Sequence, residues 1–341
     1  MMRAMAPRRL YDIPVRSGRI KRGRTLNLYQ DDMSRMWAPG YLRLYKSGEL
    51  DERIRRLNKI LESCELCPRK CNVDRLKGER GICGSGKELM VSSYGSHFGE
   101  EDPLVGTGGS GTIFLTYCNL HCVYCQNYEI SHLGYGEVRS ESKVAEYMIN
   151  LQNKGCHNIN LVTPTHFTPQ LVKATKHAIE RGLKLPLVWN CGGYENVKTL
   201  ELLDGLVDIY MPDIKYGCSE PAKKYSNAPD YFPVVREAVK EMHRQVGDLK
   251  LDPRGIAQRG LLIRHLVLPN DLANSENVLK FISDEVSTNS YVNVMSQYRP
   301  AGKAHQYGEL SRSPTRQEFD KAITIANRLG LTRGLEDKVH D

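Results

Sequence analysis

The sequence contains no hydrophobic run of membrane length and no apolar segment typical of a secretory signal. The longest aliphatic stretch, around Gly260–Leu268, is interrupted by Arg264 and His265, whereas a membrane helix needs roughly 18 consecutive apolar residues. Signal peptides carry an apolar core near the amino terminus, and no such core is present here. We therefore expect a cytoplasmic protein without a membrane partner.

Without an export signal, the ten cysteines are not expected to form a disulfide framework. Seven of them fall in two tight groups, at residues 64–83 and 118–125. Clustered thiols in a cytosolic chain are typical of metal ligands.

The net charge of +8 comes almost entirely from the amino-terminal arm, residues 1–24. Such an arm can bind nucleic acid, but this one lacks the interleaved aromatic residues that stack on bases. We therefore favour a solvated tail over a nucleic-acid partner. Its one acidic residue is Asp12, and its basic residues are Arg3, Arg8, Arg9, Arg16, Arg19, Lys21, Arg22 and Arg24.

Short apolar or β-branched runs alternate with helical patterns from Thr112 onwards. Six strands separated by helices predict parallel β/α units, which form either a partial barrel or a doubly wound sheet. In both architectures the chemistry gathers where the strands end. The predicted strands are Thr112–Tyr117, Asn158–Thr163, Pro186–Asn190, Asp208–Ile214, Leu261–Leu268 and Tyr291–Ser296.

The length of 341 residues allows one large α/β domain with a smaller extension. We expect residues 1–60 to form a basic arm with one short helix, Leu50–Leu61. Residues 61–110 would form a Cys-rich metal-binding segment, and residues 111–330 the α/β core.

The most informative segment is a C-x3-C-x2-C motif formed by Cys118, Cys122 and Cys125, directly after a predicted strand. Three thiolates on one loop can bind three irons of a cubane and leave the fourth open to a ligand. A structural zinc site needs four ligands. His121 is a poor fourth, because it immediately precedes Cys122.

At these residues the chain resembles the radical S-adenosylmethionine (SAM) superfamily, whose signature is C-x3-C-x-aromatic-C. Tyr124 occupies the aromatic position, which in the family lies beside the adenine. The resemblance implies a partial (β/α)6 TIM-type barrel and a 4Fe–4S cluster whose open iron chelates SAM. It also implies reductive cleavage of SAM to a 5′-deoxyadenosyl radical that abstracts hydrogen.

More closely, the chain is similar to pyruvate formate-lyase activating enzymes and their uncharacterised homologues. This similarity implies that Asp213 and Lys215 orient SAM, that Asn190 begins a loop beside it, and that Arg264 matches an arginine of the fifth strand. It also implies an electron donor of the flavodoxin or ferredoxin type and a protein substrate. The sequence identifies no further catalytic residue.

Two departures from this family pattern concern the ends of strands. The second strand usually ends in Gly-Gly-Glu or Gly-Gly-Asp, which binds the SAM amino group, but here it ends in Thr163–His166. The ammonium partner must then be a hydroxyl, a carbonyl or a group elsewhere. Arg299 stands where the activating enzymes have a histidine, which argues against pyruvate formate-lyase as the substrate.

The first cysteine group has the spacing C-x2-C-x3-C-x11-C, formed by Cys64, Cys67, Cys71 and Cys83. Four thiolates suit either a zinc ion or a second, auxiliary iron–sulfur cluster, and we favour the cluster. Neighbouring basic residues would offset the thiolate charge, namely Arg69, Lys70, Arg75, Lys77 and Arg80.

The sequence therefore leaves three alternative functions open. The first is hydrogen abstraction from a protein, as in glycyl-radical activation. The second is radical modification of RNA, for which the basic arm is the motive. The third is a non-catalytic iron–sulfur or zinc scaffold, for which the missing acidic motif at Thr163–His166 is the motive.

Overall fold

The computed structural model describes residues 37–335. The basic arm at residues 1–24 lies outside the described residues, so the prediction made for it stays a prediction. Within the described part of the chain, no helix is both long enough and apolar enough to cross a membrane.

One sheet of nine strands organises the fold. Strands β2, β4, β5, β6, β8 and β9 pair in this order, each parallel to the next, and form the wall of a partial barrel. All six predicted strands are confirmed, with ends that differ by a few residues. The strands are β1 Met90–His97, β2 Ser110–Leu115, β3 Glu137–Val138, β4 Ile159–Val162, β5 Leu187–Cys191, β6 Ile209–Pro212, β7 Lys250–Leu251, β8 Ala257–Leu266 and β9 Tyr291–Met295.

Amphipathic helices follow the parallel strands and bury their apolar faces against them. Gly155 and Gly182 adopt the left-handed conformation just beyond two of these helices, as expected of helix ends. The helices are α1 Tyr41–Ser47, α2 Glu49–Ile60, α3 Asp102–Val105, α4 Tyr128–Ser131, α5 Glu141–Asn153, α6 Thr168–Glu180, α7 Val197–Glu201, α8 Ser219–Ser226, α9 Tyr231–Val246, α10 Ser275–Phe281 and α11 Arg316–Arg328.

Thr168 precedes Pro169, which is the pattern of a helix cap followed by the first helical residue, but it does not cap α6 from outside. Thr168 has helical dihedral angles and lies inside α6, and its hydroxyl donates to the Thr165 carbonyl at 2.7 Å. Phe167 occupies the capping position instead. The 310 turn Thr165–Phe167 runs directly into the helix, which moves the helix start back by one residue.

Strand β1 was not among the predicted strands. It pairs antiparallel with β2 and carries the chain from the Cys-rich segment into the barrel sheet. Its sequence is rich in Ser and Gly and only Val91 is buried, so the alternation of apolar residues is too weak to indicate a strand.

The barrel interior has an apolar floor. Val188 on β5, Met211 on β6 and Leu262 on β8 form a buried cluster with Leu104 of α3. Since side chains two residues apart on a strand point to the same side, the residues two positions later also face the interior. Those residues are Asn190, Asp213 and Arg264, and they lie above the floor towards the carboxyl ends of the strands.

Candidate functional site

The loop after β2 carries Cys118, Cys122 and Cys125, all as free thiols. Each of their sulfurs accepts one hydrogen bond: Cys118 from Leu120 N at 3.3 Å, Cys122 from Ser226 Oγ at 2.9 Å, and Cys125 from Ser131 Oγ at 3.1 Å. Donors aimed at sulfur favour the thiolate form, which binds iron. This donor set therefore fits an iron–sulfur cluster.

Four predicted site residues form one hydrogen-bonded group above the apolar floor. Arg264 Nε donates to Asp213 Oδ1 at 2.7 Å, and Arg264 Nη2 donates to Asn190 Oδ1 at 2.8 Å. Lys215 Nζ donates to Asp213 Oδ2 at 2.6 Å. The structure thus brings together side chains from β5, β8 and the segment that follows β6.

Charge balance keeps this group ionised. Burial alone would raise the pKa of Asp213, but Arg264 and Lys215 outweigh that effect and hold the pKa below its ordinary value. Burial by itself would lower the pKa of Lys215. Asp213 and the nearby Cys122 raise it by more than burial lowers it, so the net shift of the pKa is upward. Lys215 is therefore a cation beside the cysteine loop, where it would stabilise an anionic cluster.

Two glycines let the loop after β5 pass close to its neighbours: Gly192 to the cysteine loop and Gly193 to the segment after β6. A side chain at Gly192 would lie 2.6 Å from Leu120 Cδ1, and one at Gly193 would lie 2.7 Å from the Asp213 carbonyl oxygen. Gly193 also has a φ of +73°, which favours glycine. These contacts explain the Gly-Gly pair of the Asn190–Tyr194 loop.

Tyr231 fixes the same loop from α9. Its hydroxyl accepts from Lys215 N at 2.9 Å and lies 2.9 Å from the carbonyl oxygens of Gly192 and Asp213. No sequence pattern singles out Tyr231, because it lies in a helix far along the chain.

Tyr124 is buried in an aromatic group beside the cysteine loop. Its ring meets Tyr216 edge-on at 6.3 Å and Tyr298 edge-on at 5.6 Å, measured between ring centroids. The backbone N–H of the neighbouring Val123 donates to the Tyr225 carbonyl at 2.8 Å. The loop is therefore held to the segments after β6 and β9.

Two acidic residues that the sequence analysis missed reach the site from the segment between β1 and α3. Glu100 lies 3.4 Å and Glu101 3.8 Å from Arg264 Nη1, and Glu101 accepts from Asn293 at 3.2 Å. Burial raises the pKa of Glu100 to about 7. Both line a cavity of about 250 Å³ that extends along β9 to Gln297.

The segment Thr163–His166 departs from the family pattern in structure as well. Thr163 has a φ of +59°, which is uncommon for a residue other than glycine. Thr165 Oγ1 donates at 2.5 Å to Glu195, a buried carboxyl that the sequence analysis did not identify. Burial raises the pKa of Glu195 to about 8.

Arg299 follows β9 and is exposed. It lines a second cavity, of about 480 Å³, together with Gln126, Tyr298 and Arg316. Because Gln126 follows Cys125, this cavity lies at the edge of the cysteine loop.

The sequence has relatives of unestablished function. One uncharacterised protein of Methanocaldococcus jannaschii is 33% identical over 297 residues, which cover 85% of this chain and 82% of the relative. A second from the same organism is 23% identical over 301 residues, with 82% and 80% covered.

Solved structures give weaker similarities. A radical SAM methyltransferase from Sphaerobacter thermophilus has a TM-score of 0.46 at 12% identity, over 66% of this chain and 65% of that enzyme. Native anSMEcpe with bound AdoMet has a TM-score of 0.40 at 14% identity, over 62% and 57%.

Residues 112–251 match the family described as the Radical SAM superfamily. This range begins in β2 and ends at β7, so it includes the cysteine loop, Asn190, Asp213 and Lys215. Family membership implies a 4Fe–4S cluster, SAM and an electron donor. The chain belongs to the radical SAM superfamily, whose members cleave SAM at an iron–sulfur cluster.

Proposed function

We propose that Cys118, Cys122 and Cys125 hold the 4Fe–4S cluster and that the polar group above the barrel floor faces the bound SAM. When bound, the cluster and SAM supply a radical that removes hydrogen from a substrate. The residues that would contact SAM are Tyr124, Asn190, Asp213, Lys215 and Arg264.

The observation that carries this proposal is the position of Lys215 between two parts of the site. Its ammonium pairs with Asp213 at 2.6 Å, and Cys122 as a thiolate would raise its pKa further. One cation therefore links the cysteine loop to the Asp213–Arg264–Asn190 group. SAM carries a carboxylate, an ammonium and ribose hydroxyls, and this group offers both charges and an amide to bind them.

The SAM amino group needs a partner other than a carboxylate at the end of β4. We propose that carbonyl and hydroxyl oxygens of Thr163–His166 accept from it. Thr165 uses its hydroxyl hydrogen on Glu195, so the lone pairs of its oxygen stay available as acceptors.

For the substrate, we propose a protein segment of the glycyl-radical type. An electron donor of the flavodoxin or ferredoxin class would reduce the cluster. The similarity of the Asp213-Ile-Lys215 segment to the activating enzymes supports this class. The cavity beside β9 supports it too, because it runs from the exposed Phe98 past Gly99 to the partly buried Arg264. A narrow extended segment fits such an opening better than a folded surface.

Formation of 5′-deoxyadenosine tests the enzymatic part. The anaerobically purified and reconstituted protein is incubated with dithionite and SAM, and the nucleoside is quantified. We expect turnover in the native chain and none in Cys122→Ala, with Cys218→Ala, a partly exposed cysteine outside both groups, as the matched control. SAM binding without any 5′-deoxyadenosine from the native chain would reject the proposal, and absence of SAM binding would favour a non-catalytic scaffold.

Deuterium transfer tests the substrate class. Candidate proteins from the same organism are prepared with deuterated glycine and added to the reaction. Deuterium in 5′-deoxyadenosine together with a glycyl-radical resonance is the expected result. Turnover that is stimulated by RNA and not by any protein would overturn the protein-substrate proposal.

A further inference from the structure

The four cysteines of the amino-terminal group are gathered by a compact turn structure. Cys64 N donates to the Val73 carbonyl at 2.9 Å, and Asn72 N donates back to the Cys64 carbonyl at 3.1 Å. Cys71 Sγ accepts from Ile82 N at 3.3 Å, which brings the neighbouring Cys83 to the same place. Cys64, Cys67 and Cys83 are buried.

Arg75 is buried within this turn structure and lacks a carboxylate partner. Only 1% of its surface is exposed. Its guanidinium donates to the carbonyl oxygens of Gly86 at 2.9 Å and His166 at 2.7 Å, and lies 3.9 Å from Cys64 Sγ. Across residues 37–335, no ion pair joins Arg75 to a carboxylate.

A buried guanidinium is costly unless an anion lies near it. A free thiol is mostly neutral at pH 7, but a metal-bound cysteine is a thiolate. The other basic residues of the segment are placed differently: Lys77 pairs with Asp74 at the surface, and Arg69 donates to backbone carbonyls. Arg75 is therefore the buried cation for which a metal-bound Cys64 would be the counter-ion.

The same turn structure contacts the cysteine loop of the barrel. His121, next to Cys122, forms a hydrogen bond of 2.9 Å with the carbonyl of Ile82, next to Cys83. Arg69 Nε donates to the Asn119 carbonyl at 3.0 Å. The two cysteine groups are thus joined by direct hydrogen bonds.

We propose that Cys64, Cys67, Cys71 and Cys83 hold an auxiliary 4Fe–4S cluster whose negative charge is compensated by the buried Arg75. This proposal rests on the proposed function only for the identity of the neighbouring barrel cluster. Four thiolates complete the ligand set of a cubane, so this cluster has no open iron for SAM.

The sulfur spacing that a cubane needs differs from the spacing that a zinc site needs. Around one zinc ion at about 2.3 Å, the thiolate sulfurs would lie about 3.8 Å apart. A cubane instead binds each thiolate to a different iron, so its sulfurs need not converge on one point. Among the residues that the structure describes, no three His, Cys, Asp or Glu side chains gather closely enough to hold one metal ion.

Iron content tests the site independently of SAM chemistry. The full chain carrying Cys118→Ala, Cys122→Ala and Cys125→Ala retains the auxiliary ligands alone and should hold about four irons after reconstitution. The native chain should hold about eight, and a chain with the four auxiliary cysteines changed to Ala about four. Zinc in place of iron in the first variant, or about four irons in the native chain, would overturn the proposal.

Arg75 is tested by redox potential in the same triple variant. Removing a nearby positive charge disfavours the reduced, more negative cluster, so Arg75→Gln should move the midpoint potential to a more negative value. Arg75→Lys should restore much of the difference. Lys77→Gln removes an exposed charge from the same segment and should leave the potential unchanged. Equal potentials in the Gln variant and its parent would reject the role of Arg75.

These outcomes separate the two proposals. If the native chain binds about eight irons but forms no 5′-deoxyadenosine, the proposed function is rejected and the auxiliary cluster is supported. Normal turnover with about four irons and one zinc rejects the auxiliary cluster alone.

Discussion

Arg264 Nη2 donates to Asn190 Oδ1 at 2.8 Å, across the strand that lies between their own two strands. The contact passes over β6, where Asp213 follows the strand and accepts from Arg264 Nε. Residues that are 74 positions apart in sequence are therefore held in contact above the barrel floor. Replacing any one of them should disturb the others.

Asp213→Asn should destabilise the protein and weaken SAM binding. The change leaves the partly buried Arg264 and Lys215 without their shared carboxylate, and breaking a fully buried ion pair costs about 3–5 kcal/mol. We expect a lower thermal midpoint and a SAM dissociation constant raised at least about tenfold, since about 1.4 kcal/mol corresponds to a factor of ten.

Asp320→Asn is the matched control, because Asp320 pairs with Arg316 at the surface. Exposed pairs contribute about 0–1 kcal/mol, so neither the thermal midpoint nor SAM binding should change. Equal effects of the two substitutions would contradict a special role for Asp213.

Glu195→Gln should flatten the dependence of stability on pH. The pKa of Glu195 in the folded chain, about 8, lies above the ordinary glutamate value of 4.5 because the carboxyl is buried. The free energy of unfolding therefore falls as pH rises from about 4.5 to 8. In this range the carboxyl ionises in the unfolded chain but stays protonated in the folded chain. The amide of the variant cannot ionise. The free energy of unfolding of the variant should therefore rise, relative to that of the native chain, by on the order of 3 kcal/mol between pH 5 and pH 8.

Thermal midpoints measured across that pH range provide the check, with the apo form used for both proteins. A constant difference between variant and native chain would show that Glu195 is ionised in the folded state. Thr165→Val serves as a second comparison, because it removes the hydroxyl that donates to Glu195.

Gly193→Ala should lower stability by pushing the loop after β5 away from the segment that follows β6. The new methyl group would lie 2.7 Å from the backbone oxygen of Asp213, and the φ of +73° is unfavourable for alanine. Overpacking and this backbone strain together should cost about 2–4 kcal/mol. Gly308→Ala, where the methyl group meets no atom within 4 Å, should be nearly neutral in the same unfolding measurement.

Ser226→Ala should lower the midpoint potential of the barrel cluster. Ser226 Oγ donates to Cys122 Sγ at 2.9 Å, and hydrogen bonds to cluster sulfurs stabilise the reduced, more negative state. Ser290→Ala removes a buried hydroxyl that has no hydrogen-bond partner in the described part of the chain, and should leave the potential unchanged. An unshifted potential in Ser226→Ala would mean that this sulfur is not a cluster ligand.

Local sequence was sufficient for the parallel strands and for the polar residues at their ends. The alternation of apolar runs and helical patterns predicted all six strands of the barrel wall, and Asn190, Asp213, Lys215 and Arg264 do converge. The family similarity selected these four residues, and the register explains why they converge, because residues two positions apart on buried strands share a face.

The parts that sequence reasoning missed depend on contacts between distant segments. Glu101 reaches Asn293 across 192 positions, and Tyr231 contacts Lys215 from a helix whose pattern shows only an apolar face. Glu195 resembles an ordinary exposed glutamate in sequence, and only the fold shows that it is buried against Thr165. No local pattern encodes such pairs.

The apolar floor has a consequence for the order of events in the barrel. Leu104, Val188 and Met211 are completely buried, so water does not reach these side chains. Two ligands that share one chamber must then use the same side of it. We therefore expect the ligand seated deeper to bind first and to leave last, so that binding is sequential and the second ligand retains the first.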